Sequence, residues 1–120
     1  MRRSEGSLPN VLNYVRQTFA AEVTFYGKRL SNQQIVEDQR RYVTRWPQRT
    51  FRLKPETTHI ICDDVASTCR IFGELDFSAS NPREFKVSAG VTSYEFKVTF
   101  GREGPKIIEE NGQVLPRANQ

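Results

Sequence analysis

The hydrophobic periodicity of this chain changes once, at Trp46-Pro47, and that change limits the folds open to it more than any other feature. Before it, apolar residues recur at three- and four-residue steps, which is typical of amphipathic helices. From Thr50 onward apolar and polar residues alternate, which is typical of strands with one covered face. Helices followed by several strands predict an α+β fold, with N-terminal helices packed in a strongly curved antiparallel sheet.

The first helix is predicted from Leu8 to Ala21. Ser7 is suited to the N-cap, and Pro9 falls in the first turn, where its missing N–H is harmless. The next piece, 23–26, is β-branched and aromatic and stops at Gly27, so it is predicted to be a short strand.

The second helix is predicted to begin after Ser31 and to end before Pro47. Ser31 and Gln34 have the spacing of a capping box, in which each side chain satisfies a free backbone N–H of the other residue. Proline cannot continue the helical ladder. Trp46 lies on the apolar stripe next to this stop, so we expect it to be turned inward and buried against the sheet.

The alternating part of the chain predicts a meander of strands with short turns. Residues 64–67 are the expected turn of one hairpin, and Gly90 is a candidate bulge where the sheet bends. The predicted strands are 57–63, 68–79, 85–89, 91–100, 106–110 and a short one at 113–115.

A chain of 120 residues suits one domain, predicted here at 8–117, with a flexible segment at 1–7 and a tail at 118–120. The formal charge of +4 is mild, and the basic run at 40–54 is typical either of a patch for an anionic partner or of a solvated helix face. The aromatic residues have core-like spacing, so no nucleic-acid partner is predicted. Apolar runs are too short for membrane insertion, and no apolar segment follows the basic start, so an intact signal peptide is not predicted.

The predicted inward face contains no acid and no histidine, so no catalytic residue is predicted. Glu74 and Asp76 alternate to the opposite face, and His59, the only histidine, points away from Ile60. A single bulge would exchange the faces of a strand. No Cys-x-x-Cys or histidine pair is present, so neither a metal site nor a cofactor is predicted. The inward set is Ile60, Cys62, Cys69, Ile71, Leu75, Phe77, Tyr94, Phe96 and Val98.

Aromatic residues supply the candidate pocket. Such a set suits an apolar small molecule with a few polar contacts, although the same rings could simply fill the interior of the fold. The candidate pocket residues are Tyr26, Tyr42, Trp46, Phe51, Tyr94 and Phe96.

Three features together resemble a bacterial branch of the nuclear transport factor 2-like (SnoaL-like) superfamily. They are Tyr26-Gly27 before a capped Arg-rich helix, the run 45–49 (Arg-Trp-Pro-Gln-Arg), and a meander that ends in the strand 107–110. The resemblance implies an α+β cone, in which helices pack into a curved sheet that leaves a cavity at its open end. The family normally begins with a long helix and a second short one, and this chain has only about fourteen residues for that region. The cone would therefore be more open, or completed by residues outside this chain.

Two functions follow from the resemblance, because this fold does not fix one activity. One is a non-catalytic ligand-binding or dimerisation domain, with Arg70, Phe72 and Glu74 on the outer sheet face of a homodimer. The other is a small cofactor-free isomerase, dehydratase or cyclase acting on an apolar small molecule. A carboxylate inside the cavity beside a tyrosine would favour the enzyme; a dry, filled cone would favour the binding domain.

Cys62 and Cys69 lie astride the predicted 64–67 turn, on one face of adjacent strands. If they are directly opposed they could form a disulfide; otherwise they are two thiols that behave as small apolar residues. A bond would imply a periplasmic or otherwise exported protein, and free thiols a cytoplasmic one.

Overall fold

The computed structural model describes residues 7–116, which form two helices and seven strands. Two of the strands lie between the helices in the sequence, and the other five follow the second helix. Of the flexible segment predicted at 1–7 only Ser7 is described, and the predicted tail at 118–120 lies outside the described residues. Short 3₁₀ turns occupy Pro55–Thr57 and Pro82–Glu84. The elements are α1 (Leu8–Thr18), β1 (Phe19–Phe25), β2 (Lys28–Ser31), α2 (Asn32–Arg45), β3 (Gln48–Leu53), β4 (His59–Asp63), β5 (Thr68–Asn81), β6 (Lys86–Gly101) and β7 (Gly104–Asn111).

Helix α1 ends at Thr18, so the prediction that it continues to Ala21 is wrong. Phe19 already starts β1, which pairs with β2 on one side and with β7 on the other. Phe19 pairs with β7, and residues 22–25 pair with β2; this strand pairing outweighs the high helical propensity of Ala20 and Ala21. The buried face of α1 is Val11, Leu12 and Val15.

Helix α2 begins and ends where the sequence predicts. Both hydrogen bonds of the capping box are present: the Gln34 N–H donates to Ser31 Oγ at 3.1 Å, and the Ser31 N–H donates to Gln34 Oε1 at 2.8 Å. Asn32 then joins the two helices, because its side-chain Nδ2 donates to the carbonyl oxygen of Phe19 at 2.8 Å. Carbonyl groups at the end of a helix lack intrahelical partners, so this contact stabilises the end of α1.

The strands form one curled sheet in the order β2-β1-β7-β6-β5-β3, and β4 pairs with β5 beside this path. All pairs are antiparallel except β1–β7, which is parallel, so the curved antiparallel sheet that was predicted includes one parallel pair. The strands predicted at 85–89 and 91–100 are one strand, β6. Gly90 pairs with Phe77 without a register shift, so it is not a bulge; an added Cβ there would lie 3.4 Å from the Phe77 ring. The strand predicted at 113–115 is reduced to a single bridge between Thr92 and Val114.

The core lies between the two helices and the concave face of the sheet. Trp46 is outside it: this residue is only partly buried, and the Arg45 guanidinium lies 5.7 Å from its ring centre. Ile60 and Cys62 were expected inside, but both are exposed, Ile60 to 63%, because within residues 7–116 β4 pairs with β5 alone and lies at the edge of the sheet. The buried core is Leu12, Val15, Phe19, Val23, Phe25, Ile35, Val36, Leu75, Tyr94, Phe96 and Ile107.

Candidate functional site

A cavity of about 280 Å³ opens on the concave side of the sheet. Strands β3, β5 and β6 supply its apolar wall, and the side chains of this wall include Phe51, Leu53, Ile71, Leu75 and Phe96. Its polar lining includes Tyr26, Thr58, Tyr94 and Glu110. A mostly apolar space with a few convergent polar groups is the usual form of a small-molecule site.

Glu110 is the buried acid of this cavity, with 3% of its surface exposed. The Tyr26 hydroxyl donates to Glu110 Oε2 at 3.1 Å, and the Tyr26 backbone N–H donates to the Glu110 carbonyl oxygen at 2.9 Å. Tyr26 reaches this position from the two-residue turn between β1 and β2. Tyr26 and Gly27 both have positive φ, 51° and 81°, as the tight hairpin turns require.

The alternation of the sequence missed Glu110 because strand β7 contains a bulge. Lys97 pairs with Glu109 and Val98 pairs with Ile107, which leaves Ile108 as an extra residue. One extra residue exchanges the two faces of a strand. Ile107 and Glu110 are therefore both buried, although strict alternation from Ile107 would have turned Glu110 outward.

A second polar pair lines the same cavity. The hydroxyls of Thr58 and Tyr94 are 3.0 Å apart. Tyr94 lies opposite Gly73 on β5, where a Cβ would be only 2.8 Å from the tyrosine hydroxyl oxygen. Because Gly73 has no side chain, the Tyr94 hydroxyl has room at this position.

A wider cleft of about 600 Å³ adjoins the cavity and shares Tyr26, Phe51 and Glu110 with it. Tyr42 and Gln39 of helix α2 line this cleft. Within residues 7–116, Gln39 Oε1 is buried without a hydrogen-bond partner. Glu110 therefore lies where an apolar cavity and a more polar cleft meet.

The structure brings together five of the six predicted pocket residues. Tyr26, Phe51, Tyr94 and Phe96 line the cavity, and Tyr42 lines the adjoining cleft. The sixth, Trp46, lines neither. It caps the C-terminus of α2, where its carbonyl oxygen accepts a hydrogen bond from the Arg49 Nη1 atom at 2.7 Å. Burial lowers the pKa of the Arg49 guanidinium, and the nearby Tyr42 opposes that shift.

The outer face of the sheet is more covered than expected. Phe72 was predicted to be exposed, but it is half-buried, because His59 stacks on its ring at 5.3 Å and the Arg70 guanidinium lies 5.7 Å from it. Arg70 also pairs with Glu95 at 2.7 Å. Neither Glu74 nor His59 lines the cavity with Glu110; both border a shallow depression on this outer face.

Cys62 and Cys69 are directly opposed on β4 and β5 and joined by a disulfide in the structure. In the described part of the chain, no helix is long and apolar enough to cross a membrane. Residues 7–116 also contain no group of three or more acidic, histidine or cysteine residues arranged to hold a metal ion.

Two helices packed on a curled, unclosed sheet, with a cavity on its concave side, define the nuclear transport factor 2-like fold, and this chain has that fold. No protein-family model and no curated protein matches the sequence. The likeness is therefore one of structure.

Three solved structures illustrate the likeness. A nuclear transport factor 2-like superfamily protein from Salmonella enterica serovar Typhimurium has a TM-score of 0.75 and 12% identity, over 89% of this chain and 79% of that one. A candidate dehydratase of this family from Streptomyces avermitilis has a TM-score of 0.73 and 9% identity, over 97% and 88%. A candidate calcium/calmodulin-dependent protein kinase II association domain from Xanthomonas campestris has a TM-score of 0.62 and 17% identity, over 97% and 79%.

Proposed function

We propose that this protein is a cofactor-free enzyme that transfers a proton on an apolar, ring-containing carbonyl compound held in the cavity. The observation that supports this most directly is Glu110, a buried carboxylate beside the Tyr26 hydroxyl in a mostly apolar cavity. A buried carboxylate is costly unless it is hydrogen-bonded. Its place on a cavity wall, where a ligand can reach it, is better explained by chemistry than by packing.

Glu110 would act as the general base. A carboxylate in hydrogen-bond reach of a substrate can remove a proton from the carbon next to a carbonyl group. The electron pair of the broken C–H bond moves toward the carbonyl oxygen, which becomes an enolate. Return of the same proton from Glu110 to another carbon of the conjugated system completes an isomerisation, and Tyr26 holds the carboxyl group in place throughout.

The Thr58–Tyr94 pair would stabilise the enolate oxygen. Hydroxyl donors fixed in an apolar cavity stabilise developing negative charge more than donors in water do. Tyr94 is buried, its hydroxyl is hydrogen-bonded to that of Thr58, and it fits into the space left by the missing side chain of Gly73. It therefore needs little reorganisation during the reaction. The volume of about 280 Å³ suits a substrate of one or two rings.

The test is hydrogen–deuterium exchange at carbon, which needs no knowledge of the natural substrate. A panel of cyclic and aryl ketones is incubated with the protein in D₂O, and loss of the proton next to the carbonyl is followed by NMR. We expect exchange with at least one ketone, and a loss of about 10²-fold or more in Glu110→Gln, as for removal of a general base. The matched control is Glu109→Gln, which makes the same change one residue earlier on β7, where the side chain faces away from the cavity.

Equal exchange rates in Glu110→Gln and Glu109→Gln would contradict the proposal. A second candidate, a non-catalytic binding domain, is supported by the aromatic lining of the cavity and by the Tyr26 hydroxyl that already occupies Glu110 Oε2. Ketones that bind in the cavity without any exchange would favour it. For either function the Cys62–Cys69 disulfide supports an oxidising compartment such as the periplasm.

A further inference from the structure

Strand β4 is an edge strand that carries no lysine, arginine or proline. Within residues 7–116 it pairs only with β5, so its other edge is open. Natural proteins place lysine, arginine or proline on such edges. β2 carries Lys28 and Arg29, and β3 carries Arg49 and Arg52, whereas β4 has none of these residue types.

The open edge is also apolar. Ile60 and Ile61, which lie on opposite faces of β4, are 63% and 58% exposed. Exposed apolar side chains beside unpaired backbone groups are typical of a strand edge that can pair with another chain.

The direction of the backbone groups on this edge can be derived from the disulfide. The Cα atoms of Cys62 and Cys69 are 4.0 Å apart, the short spacing of a pair that is not hydrogen-bonded. In such a pair, the N–H and C=O groups point away from the partner strand. Cys62 and, two residues earlier, Ile60 therefore direct their backbone groups to the open edge, while Ile61 directs its own toward Arg70 of β5.

We propose that two copies of this chain associate by antiparallel pairing of their β4 strands, with a two-fold axis at Ile61. In that register Ile60 of one copy faces Cys62 of the other, and the outward backbone groups of both residues form about four hydrogen bonds across the interface. The two Ile61 side chains meet at the axis. Such an interface is isologous and closes as a dimer.

Complementary polar side chains select this register. The strand reads His-Ile-Ile-Cys-Asp, so antiparallel pairing centred on Ile61 brings each His59 opposite the partner's Asp63, once on each side of the axis. His59, Ile61 and Asp63 share one face of the strand, and directly opposed side chains lie about 5 Å apart. Asp63 Oδ1 accepts the backbone N–H groups of Val65 and Ala66, so the other carboxylate oxygen is the one that meets the imidazole.

Sedimentation velocity over a concentration series tests the pairing. We expect a dimer for the wild type and at least tenfold weaker association for Ile61→Lys, because two like charges would meet at the axis. The control is Val65→Lys, which adds the same charge at the turn outside the paired residues and should stay within twofold of the wild type. Ile60→Pro, which removes an outward N–H and no hydrogen bond to β5, should also weaken association.

Each result decides the proposal, provided that melting curves show each variant folded. A wild type that is monomeric at about 100 μM overturns it. An equal effect of Ile61→Lys and Val65→Lys also overturns it, since association would then not depend on the residue at the two-fold axis. The readout is the mass of the complex, so it is independent of the proposed proton transfer.

Discussion

Removal of the Cys62–Cys69 disulfide offers the most quantitative test of this structure. The bond links residues seven apart in sequence. In the chain-entropy treatment, closing a loop of that length lowers the entropy of the unfolded chain by about 8 cal/mol/K, which corresponds to about 2.4 kcal/mol at 25 °C. Cys62 is exposed, so breaking the bond leaves no cavity and no buried polar group to enlarge this value.

The same value can be expressed as a melting temperature. Unfolding entropy is about 2.1 cal/mol/K per residue near 60 °C, or about 0.25 kcal/mol/K for 120 residues. A loss of about 2.4 kcal/mol should therefore lower the midpoint by about 9 °C. The assay is urea and thermal unfolding with and without a phosphine reductant, and the control is the Cys62→Ser/Cys69→Ser double variant, which the reductant should not affect.

Two outcomes would refute this reasoning. One is a reductant effect below about 0.5 kcal/mol, since the loop-closure entropy predicts several times more. The other is the titration of two reactive thiols in oxidised, denatured protein, which would remove the disulfide and with it the reason to propose an exported protein. If the reductant destabilises the wild type by about as much as the double substitution does, the result supports both the disulfide and the loop-closure value.

Two further predictions concern the site and its support. Gly73→Ala should destabilise the fold by about 1–3 kcal/mol and weaken ligand binding, because the new Cβ would lie 2.8 Å from the Tyr94 hydroxyl oxygen and 3.0 Å from the Thr57 carbonyl oxygen. The assay is urea unfolding, and the control is Gly101→Ala, whose Cβ would have no neighbouring atom within 4 Å. Trp46→Ala should cost about 1.5–2.5 kcal/mol, about half the value for a fully buried tryptophan, because its ring is only partly buried. A cost above about 4 kcal/mol in the same assay would show that Trp46 is a core residue after all.

The class of fold could be predicted because its signals are local or periodic. The capping box of Ser31 and Gln34 and the stop at Pro47 act within one turn of helix, so α2 begins and ends where the sequence alone places it. The alternation after Thr50 predicted which faces of β5 and β6 are covered, since side chains on a strand point alternately to its two faces. The facing positions of Cys62 and Cys69 follow from the same alternation and a short turn.

Contacts between distant segments decided the remaining features. α1 ends at Thr18 because Phe19 pairs with Ile107 of β7, a residue 88 positions later that no pattern near Phe19 in the sequence predicts. The exposure of Ile60 depends on the position of β4 at the edge of the sheet, which the alternation of residues within the strand does not predict.

The clearest case is Glu110, which decides the chemistry proposed for the cavity. Ile108 is an extra residue only relative to the register of β6, so the face that Glu110 occupies is a property of the strand pair and not of either strand. The sequence by itself determined that a half-covered sheet would wrap two helices. Tertiary pairing determined that an acid would lie inside it, because one residue of slip is enough to exchange the two faces of a strand.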